Sequence, residues 1–241
     1  MQKVEAIIVG GGPCGLAAAI ELQNIGLSPV IIEKGNIVNA IYNYPTHQTF
    51  FSTSEKLAIV DVPFIIEQRK PKRNQALVYY REVVKAKKLL VNRFEKVESV
   101  KKVDGIFNVK TDKDSYETPY VVIATGYYDH PNYLHIPGES LPKVHHYFKE
   151  GHPFFDLNVL VIGGKNSAID AALELNKAGA HVTVIYRGND YSASIKPWVL
   201  PEFLGLVREG EITMHFNTEV KEIRENEVIV EIAGQKETID N

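Results

Sequence analysis

A single cysteine, Cys14, stands among 241 residues, so no disulfide can close within the chain and a cysteine-ligated metal site is excluded in practice. Long apolar runs are missing too: none approaches the roughly 20 residues of a helical membrane span. Neither sign of charge dominates. Lys and Arg number 27 against 30 Asp and Glu, and a net charge of −3 provides no field for nucleic acid or an anionic membrane surface. The basic groups Arg69, Lys70, Lys72 and Arg73, and those at 85–88, are short and read as a solvated loop and a helix face. No signal-like segment precedes the first apolar run, so the expected compartment is the cytoplasm.

An apolar fraction of 44% with 24% charged residues is that of an ordinary globular protein, with room for one large domain or two modest ones. Ala6-Ile7-Ile8-Val9 is an apolar run ended by three glycines and reads as a buried parallel strand. An Ala-rich helix over 16–22 stops at Gly26, and Pro29-Val30-Ile31-Ile32-Glu33 is the next strand. Residues 35–73 look irregular. A helix is expected over 74–88, opened by an Asn74 cap. Alternating runs at 94–103 and 106–111 meet at Asp104-Gly105, a hairpin signal. A buried strand over 120–124 ends at Thr125-Gly126. About 150 residues after the first loop the pattern restarts: strand 159–162, Gly163-Gly164, helix 168–177, Gly179 and strand 181–186.

Both glycine loops carry chemistry. Gly10-Gly11-Gly12-Pro13-Cys14-Gly15 is a complete G-x-G-x-x-G. Gly10 permits the tight turn, Gly12 lets backbone approach a pyrophosphate, and Gly15 lets the helix close on the strand; the helix N-terminus offers N–H groups and a positive dipole end to the anion. Glu33, about 20 residues on at the end of the second strand, suits ribose hydroxyls. Gly163-Gly164-Lys165-Asn166-Ser167-Ala168 fits G-x-G-x-x-A except at Lys165. There the second strand ends in Tyr186-Arg187 rather than an acid, which favours a 2′-phosphate and hence NADPH over NADH.

The paired βαβ units, Ala124-Thr125-Gly126 and Ile136-Pro137-Gly138-Glu139 resemble the thioredoxin-reductase-like flavoproteins. Within these, GGGPCGL at 10–16, Tyr44-Pro45-Thr46-His47, Phe50-Phe51-Ser52-Thr53, GGKNSA at 163–168 and Ile195-Lys196-Pro197-Trp198 resemble the bacillithiol disulfide reductase family. The resemblance spans essentially the whole chain. It implies an α/β fold with two Rossmann-like dinucleotide-binding domains, FAD-binding over 1–127, and a crossover with an NADPH-binding domain over 128–241. FAD would meet Gly10, Gly12, Pro13, Cys14, Gly15, Glu33 and Lys34, with Tyr42, His47, Phe51, Ser52, Thr53, Thr125 and Gly126 around it. NADPH would meet Gly163, Gly164, Lys165, Asn166, Ser167 and Ala168, with Arg187 and Lys196 nearby. The implied substrate is bacillithiol disulfide, a small molecule, and the expected assembly is a homo-oligomer.

Two departures matter. The redox C-x-x-C of thioredoxin reductases is replaced by His146 and Lys149, which excludes an internal disulfide relay. The returning segment that closes the FAD domain in such proteins would begin where this chain ends, at Asp240-Asn241. The resemblance makes Cys14 the candidate catalytic thiol, placed at a helix start that favours a thiolate; the alternative is a small residue that packs like alanine. His145, His146 and Tyr147 are candidate proton donors or simply polar loop residues, and the aromatics of 42–51 are candidate flavin neighbours or core. Alternatives to a disulfide reductase remain: a ferredoxin- or flavodoxin-NADP reductase; a flavin monooxygenase, whose Phe-x-Gly-x-x-x-His run is absent here; or a truncated, non-catalytic nucleotide-binding module.

Overall fold

A computed structural model describes residues 1–232 and 234–241, which form two compact units, Met1–His130 and Pro131–Asn241.

The first unit runs β1 (Gln2–Lys3), β2 (Ala6–Val9), α1 (Pro13–Asn24), β3 (Pro29–Glu33), α2 (Asn39–Asn43), α3 (Ser54–Leu57), α4 (Arg73–Ala86), β4 (Leu90–Arg93), β5 (Val97–Val103), β6 (Ile106–Thr111), β7 (Ser115–Thr118) and β8 (Val121–Ile123). Strands β4-β3-β2-β8 form a wholly parallel sheet. Its two central strands are buried along their whole length, as expected of a sheet covered on both faces. Successive residues serve opposite layers. Ile8 and Ile31 pack with Leu16, Ala19 and Ile20 of α1 and with Ala76, Tyr80 and Val83 of α4. Ile7, Val9, Val30 and Ile32 face Val109 and Tyr116 of the second sheet, β1-β7-β6-β5. Each such side chain contributes about 1.5–3 kcal/mol by leaving water.

The β5–β6 hairpin turns at Asp104-Gly105 with φ of 48° and 85°, the left-handed pair that a two-residue turn requires. The expected Asn74 cap is corrected. Helix α4 begins one residue earlier, at Arg73, and Gln75 Oε1 accepts the Lys72 backbone N–H at 2.8 Å. Residues 35–73, expected to be irregular, also contain two short helices.

The second unit contains β9 (Asn158–Ile162), α5 (Asn166–Lys177), β10 (His181–Ile185), α6 (Leu200–Glu209), β11 (Ile212–His215), β12 (Thr218–Ile223), β13 (Glu227–Ile232) and β14 (Gln235–Asp240). The parallel sheet β11-β10-β9 packs its Val182 and Val184 with Ile169 and Leu175 of α5 and Phe203 of α6. An antiparallel sheet, β12-β13-β14, covers the opposite side, where Ile185 meets Val228 and Val230.

Candidate functional site

In the first unit, the carboxyl ends of β3, β2 and β8 lie side by side. Chain leaves β2 through α1 to β3 on one side, while β8 flanks β2 on the other, so this is the switch point where open α/β sheets bind ligands. Gly10 adopts φ +110°, and a Cβ built on it would lie 2.3 Å from Ala124 O. The loop of Ala124, Thr125 and Gly126 thus sits directly against the glycine turn, with Thr125 and Gly126 exposed. A Cβ on Gly15 would lie 1.9 Å from Gly10 O, so α1 starts as close to the strand end as backbone allows.

The residues present fit a pyrophosphate. No side chain caps α1 at Gly12, and nothing stands within 4 Å of where a Gly12 Cβ would be. With no side-chain cap, the free backbone N–H groups of the first helical turn are left to water or a ligand. Pro13 begins the helix and Cys14 follows it, exposed rather than packed.

Glu33 is 7% exposed and is held by its neighbours. Its carboxylate accepts the Gly11 N–H at 2.6 Å and the Gly35 N–H at 2.7 Å. A carboxylate has about four acceptor positions, so two backbone bonds orient it and leave capacity for ribose hydroxyls. Lys34 pairs with Asp129 at 2.8 Å, which ties the end of β3 to the chain beyond β8. Val38 donates its N–H to Gly11 O at 2.9 Å from a left-handed φ of 49°. That backbone costs a β-branched residue about 1–3 kcal/mol, and burial of Val38 in the core holds it there.

The segment expected around a flavin is exposed at Tyr42, His47, Phe51 and Ser52, with Thr53 half-buried at the start of α3. Backbone bonds pin it along residues 69–73: Phe50 N–H to Pro71 O, Arg73 N–H to Gln48 O, and Ser54 N–H to Arg69 O. Arg73, read from sequence as part of a solvated loop, is 8% exposed and donates its guanidinium to Tyr42 O and Asn74 Oδ1. Sequence reasoning missed this anchor, although a signal existed. Arg73, Ala76, Tyr80 and Val83 share one buried helical stripe. Tyr44 packs edge-on to Tyr128 at 4.8 Å, and burial pushes its hydroxyl above the ordinary tyrosine range, with Tyr127 adding to the shift.

In the second unit the loop is rebuilt on the same register. Val9 pairs with Ile32 and Gly10 donates to Ile32 O; likewise Ile162 pairs with Ile185 and Gly163 donates to Ile185 O at 2.8 Å. Tyr186 therefore occupies the place of Glu33, and Arg187 that of Lys34. The acid of the first loop is replaced by an aromatic ring, which lies 2.3 Å from where a Gly164 Cβ would be. Lys165 caps α5 in extended backbone (φ −115°, ψ −175°), in the same region as Gly12 (φ −80°, ψ 179°). Lysine in place of glycine thus strains nothing there. Asn166 clamps the 194–196 turn to the helix start: its Nδ2 donates to Ser194 O at 2.8 Å, and its Oδ1 accepts the Lys196 N–H at 2.9 Å. The Lys196 ammonium lies 6.0 Å from the Trp198 ring centroid. Ser167 lies in the first turn of α5, and the Ala168 Cβ lies 3.2 Å from where a Gly163 Cβ would be.

The crossover histidines have structural partners within their own unit. Glu139 accepts the Leu134 and His135 N–H groups, both at 2.7 Å, and pairs with His146 Nε2 at 3.2 Å. The backbone donors, first that of Leu134, hold its carboxyl below the usual range. His146 also meets Tyr133 edge-on, and His145 meets Phe154. Among the described residues no three His, Cys, Asp or Glu side chains gather as a metal site, and no helix is long and apolar enough to cross a membrane.

Comparison with known proteins agrees with this geometry. The family model for pyridine nucleotide-disulphide oxidoreductases matches residues 7–241. The bacilliredoxin reductase Bdr of Bacillus subtilis is 65% identical over 240 residues, 99% of this chain and 74% of that protein. The structure of the bacillithiol disulfide reductase Bdr (YpdA) from Staphylococcus aureus superposes with a TM-score of 0.98 at 63% identity, over all of this chain and 75% of that one. A ferredoxin–NADP reductase of Ignicoccus hospitalis is more distant, 29% identical over 219 residues, 91% of this chain and 66% of that protein. With two glycine loops of matching register and a family match along nearly its whole length, the chain belongs to the pyridine nucleotide-disulphide oxidoreductase family.

Proposed function

We propose that this protein is an FAD-dependent, NADPH-oxidising reductase of a low-molecular-weight disulfide, with bacillithiol disulfide as substrate. The observation that carries the reading is the asymmetry of two otherwise matched loops: Glu33 at one strand end, Tyr186-Arg187 at the other. An acid suits the free ribose hydroxyls of FAD, and its absence beside an arginine suits the 2′-phosphate of NADPH. FAD, when bound, supplies the two-electron exchange between a nicotinamide and a disulfide.

The chain's own residues bind and orient. Gly10, Gly12, Pro13, Cys14 and Gly15 present the α1 N-terminus to one pyrophosphate, with Glu33 on the ribose and Lys34 beside it. Tyr42, His47, Phe51, Ser52, Thr53, Thr125 and Gly126 border the same cofactor. Gly163, Gly164, Lys165, Asn166, Ser167 and Ala168 present α5 to the other, with Arg187 on the 2′-phosphate and Lys196 held close by Asn166. The Cys14 thiolate attacks one sulfur of the substrate; the substrate S–S bond breaks as the mixed disulfide forms, and the departing thiolate takes up a proton to leave as the first thiol. The two electrons that resolve the mixed disulfide derive from NADPH. Exposure of Cys14 supports this role over one in packing.

The test is NADPH turnover by the full-length protein with bacillithiol disulfide, against ferredoxin and oxygen. Faster turnover of the disulfide is expected, and preference for ferredoxin or oxygen overturns the reading. A second reading, reduction of a protein disulfide, rests on the name of the 65% identical relative, a bacilliredoxin reductase. Turnover only when a bacilliredoxin is added would favour it. The protein works in the cytoplasm, where its reductant and thiols are kept, as a homo-oligomer without nucleic acid or membrane. Fractionation and light scattering check both statements.

Arg187→Glu is expected to weaken NADPH by roughly 1–3 kcal/mol, the value of a charge-assisted phosphate contact, and to leave NADH nearly unchanged. Equal losses for the two nucleotides would remove Arg187 from the phosphate site.

A further inference from the structure

Arg187 lines a cavity of about 290 Å³ together with Asn217, Glu219, Glu231 and Gly234. Two carboxylates in a pocket meant for a phosphate are an apparent contradiction, because they repel the ligand and compete for the guanidinium. They also oppose each other. Glu219 of β12 and Glu231 of β13 are a directly paired cross-strand couple, an arrangement that like charges destabilise.

The sheet resolves this with a bulge. Val220 pairs with Val230 and Glu222 with Ile229, so Lys221 is the extra residue with no cross-strand partner. Its Nζ lies 2.9 Å from Glu219 Oε2 and 3.6 Å from Glu231 Oε1, bridging both acids. Arg187, exposed on the same cavity, forms no ion pair among the described residues. The spacing is held by backbone: Asn217 N–H donates to Gly188 O at 2.9 Å and Thr218 N–H to Tyr186 O at 3.2 Å.

We infer that Lys221 is a positioning residue for the nucleotide 2′-phosphate: by holding Glu219 and Glu231, it keeps the Arg187 guanidinium open to the incoming anion. The inference rests on the assignment of Arg187 above. The directions of titration agree with it. Glu219 is held below the usual carboxylate range chiefly by its bond to Lys221, with Arg187 a smaller influence, and Lys221 is held above the lysine range chiefly by Glu219. Without Lys221 the acid pair turns to the cations that remain beside it: Lys236, opposite Glu231 on β14, and Arg187, which already acts on Glu219.

The experiment measures calorimetric binding of 2′,5′-ADP and of 5′-AMP to the full-length, FAD-loaded protein, beside KM for NADPH and NADH. Lys221→Met is expected to weaken 2′,5′-ADP by about 5- to 20-fold and to leave 5′-AMP unmoved, because the freed acids compete with the phosphate for a charge-assisted bond to Arg187. KM for NADPH rises in step, while kcat holds. Lys221→Arg, which keeps the bridge, stays near the parent. Adding Glu219→Gln to Lys221→Met restores 2′,5′-ADP to within about twofold, the coupling expected of neighbours in one network. FAD content and the far-ultraviolet spectrum check that each variant is folded. Unchanged 2′,5′-ADP affinity in Lys221→Met overturns the inference. So does a loss that Glu219→Gln fails to restore, since Lys221 would then touch the phosphate itself. An Arg187→Ala arm separates the two ideas. If it leaves 2′,5′-ADP binding intact, the Arg187 assignment falls first; if it weakens binding while Lys221→Met does not, only the role of Lys221 falls.

Discussion

Gly15→Ala is expected to strip flavin from the purified full-length protein and to lower its stability by about 3 kcal/mol, the upper range for overpacking. The added Cβ would lie 1.9 Å from Gly10 O, and neither partner has a flexible end to move aside: one is the first turn of α1, the other the strand-ending glycine. Gly10 in turn has no slack, with φ +110° and Ala124 O behind it. Gly12→Ala is the informative control. Its backbone is in a region open to alanine and nothing stands within 4 Å, so thermal stability stays near the parent. Flavin affinity nonetheless falls, because the Cβ points where a pyrophosphate approaches. The ratio of flavin to protein absorbance and the melting temperature read both variants. A Gly12→Ala protein with full flavin content would show that the anion does not lie over this turn, and a stable Gly15→Ala protein would show that the helix start yields more readily than its close approach to Gly10 indicates.

Cys14→Ser is expected to cut disulfide reduction at least about 1000-fold, while flavin content and flavin reduction by NADPH stay intact. Displacement on sulfur requires a thiolate, and a serine hydroxyl does not replace it at neutral pH. Binding and reduction of the flavin ask nothing of the sulfur. Because the side chain is exposed at the second position of α1, serine fills it without disturbing packed neighbours. Stopped-flow reduction by NADPH and steady-state turnover with the disulfide read the two halves separately. Lost flavin in the variant would make Cys14 part of the loop's structure. Unchanged turnover would remove it from the chemistry.

The sequence by itself determined the features that rest on local rules. Continuous apolar runs bounded by glycine mark β2 and β3, because a strand covered on both faces needs few polar residues; β9 forms from the same kind of run although it is only half-buried and exposed at both ends. Gly10 and Gly15 are legible because each meets a separate backbone demand at a set spacing, a left-handed turn at one and the close approach of helix to strand end at the other. Asp104-Gly105 is legible because few residues accept that turn.

Only the tertiary structure decided the rest. The Arg73 guanidinium is buried because Tyr42 O, 31 residues away in sequence, accepts from it. Glu33 is oriented by the Gly11 N–H, which the pairing of β2 with β3 brings beside it, and by the Gly35 N–H two residues on. Register made Tyr186 the counterpart of Glu33 and Arg187 that of Lys34. In the antiparallel sheet at the end of the chain, Glu219, Lys221 and Glu231 look like any alternating charged surface in sequence. Cross-strand pairing set the two acids face to face, and one bulged residue placed the lysine between them. Such interactions depend on which chain segments become neighbours, and that is settled by packing of the whole unit rather than by any window of residues.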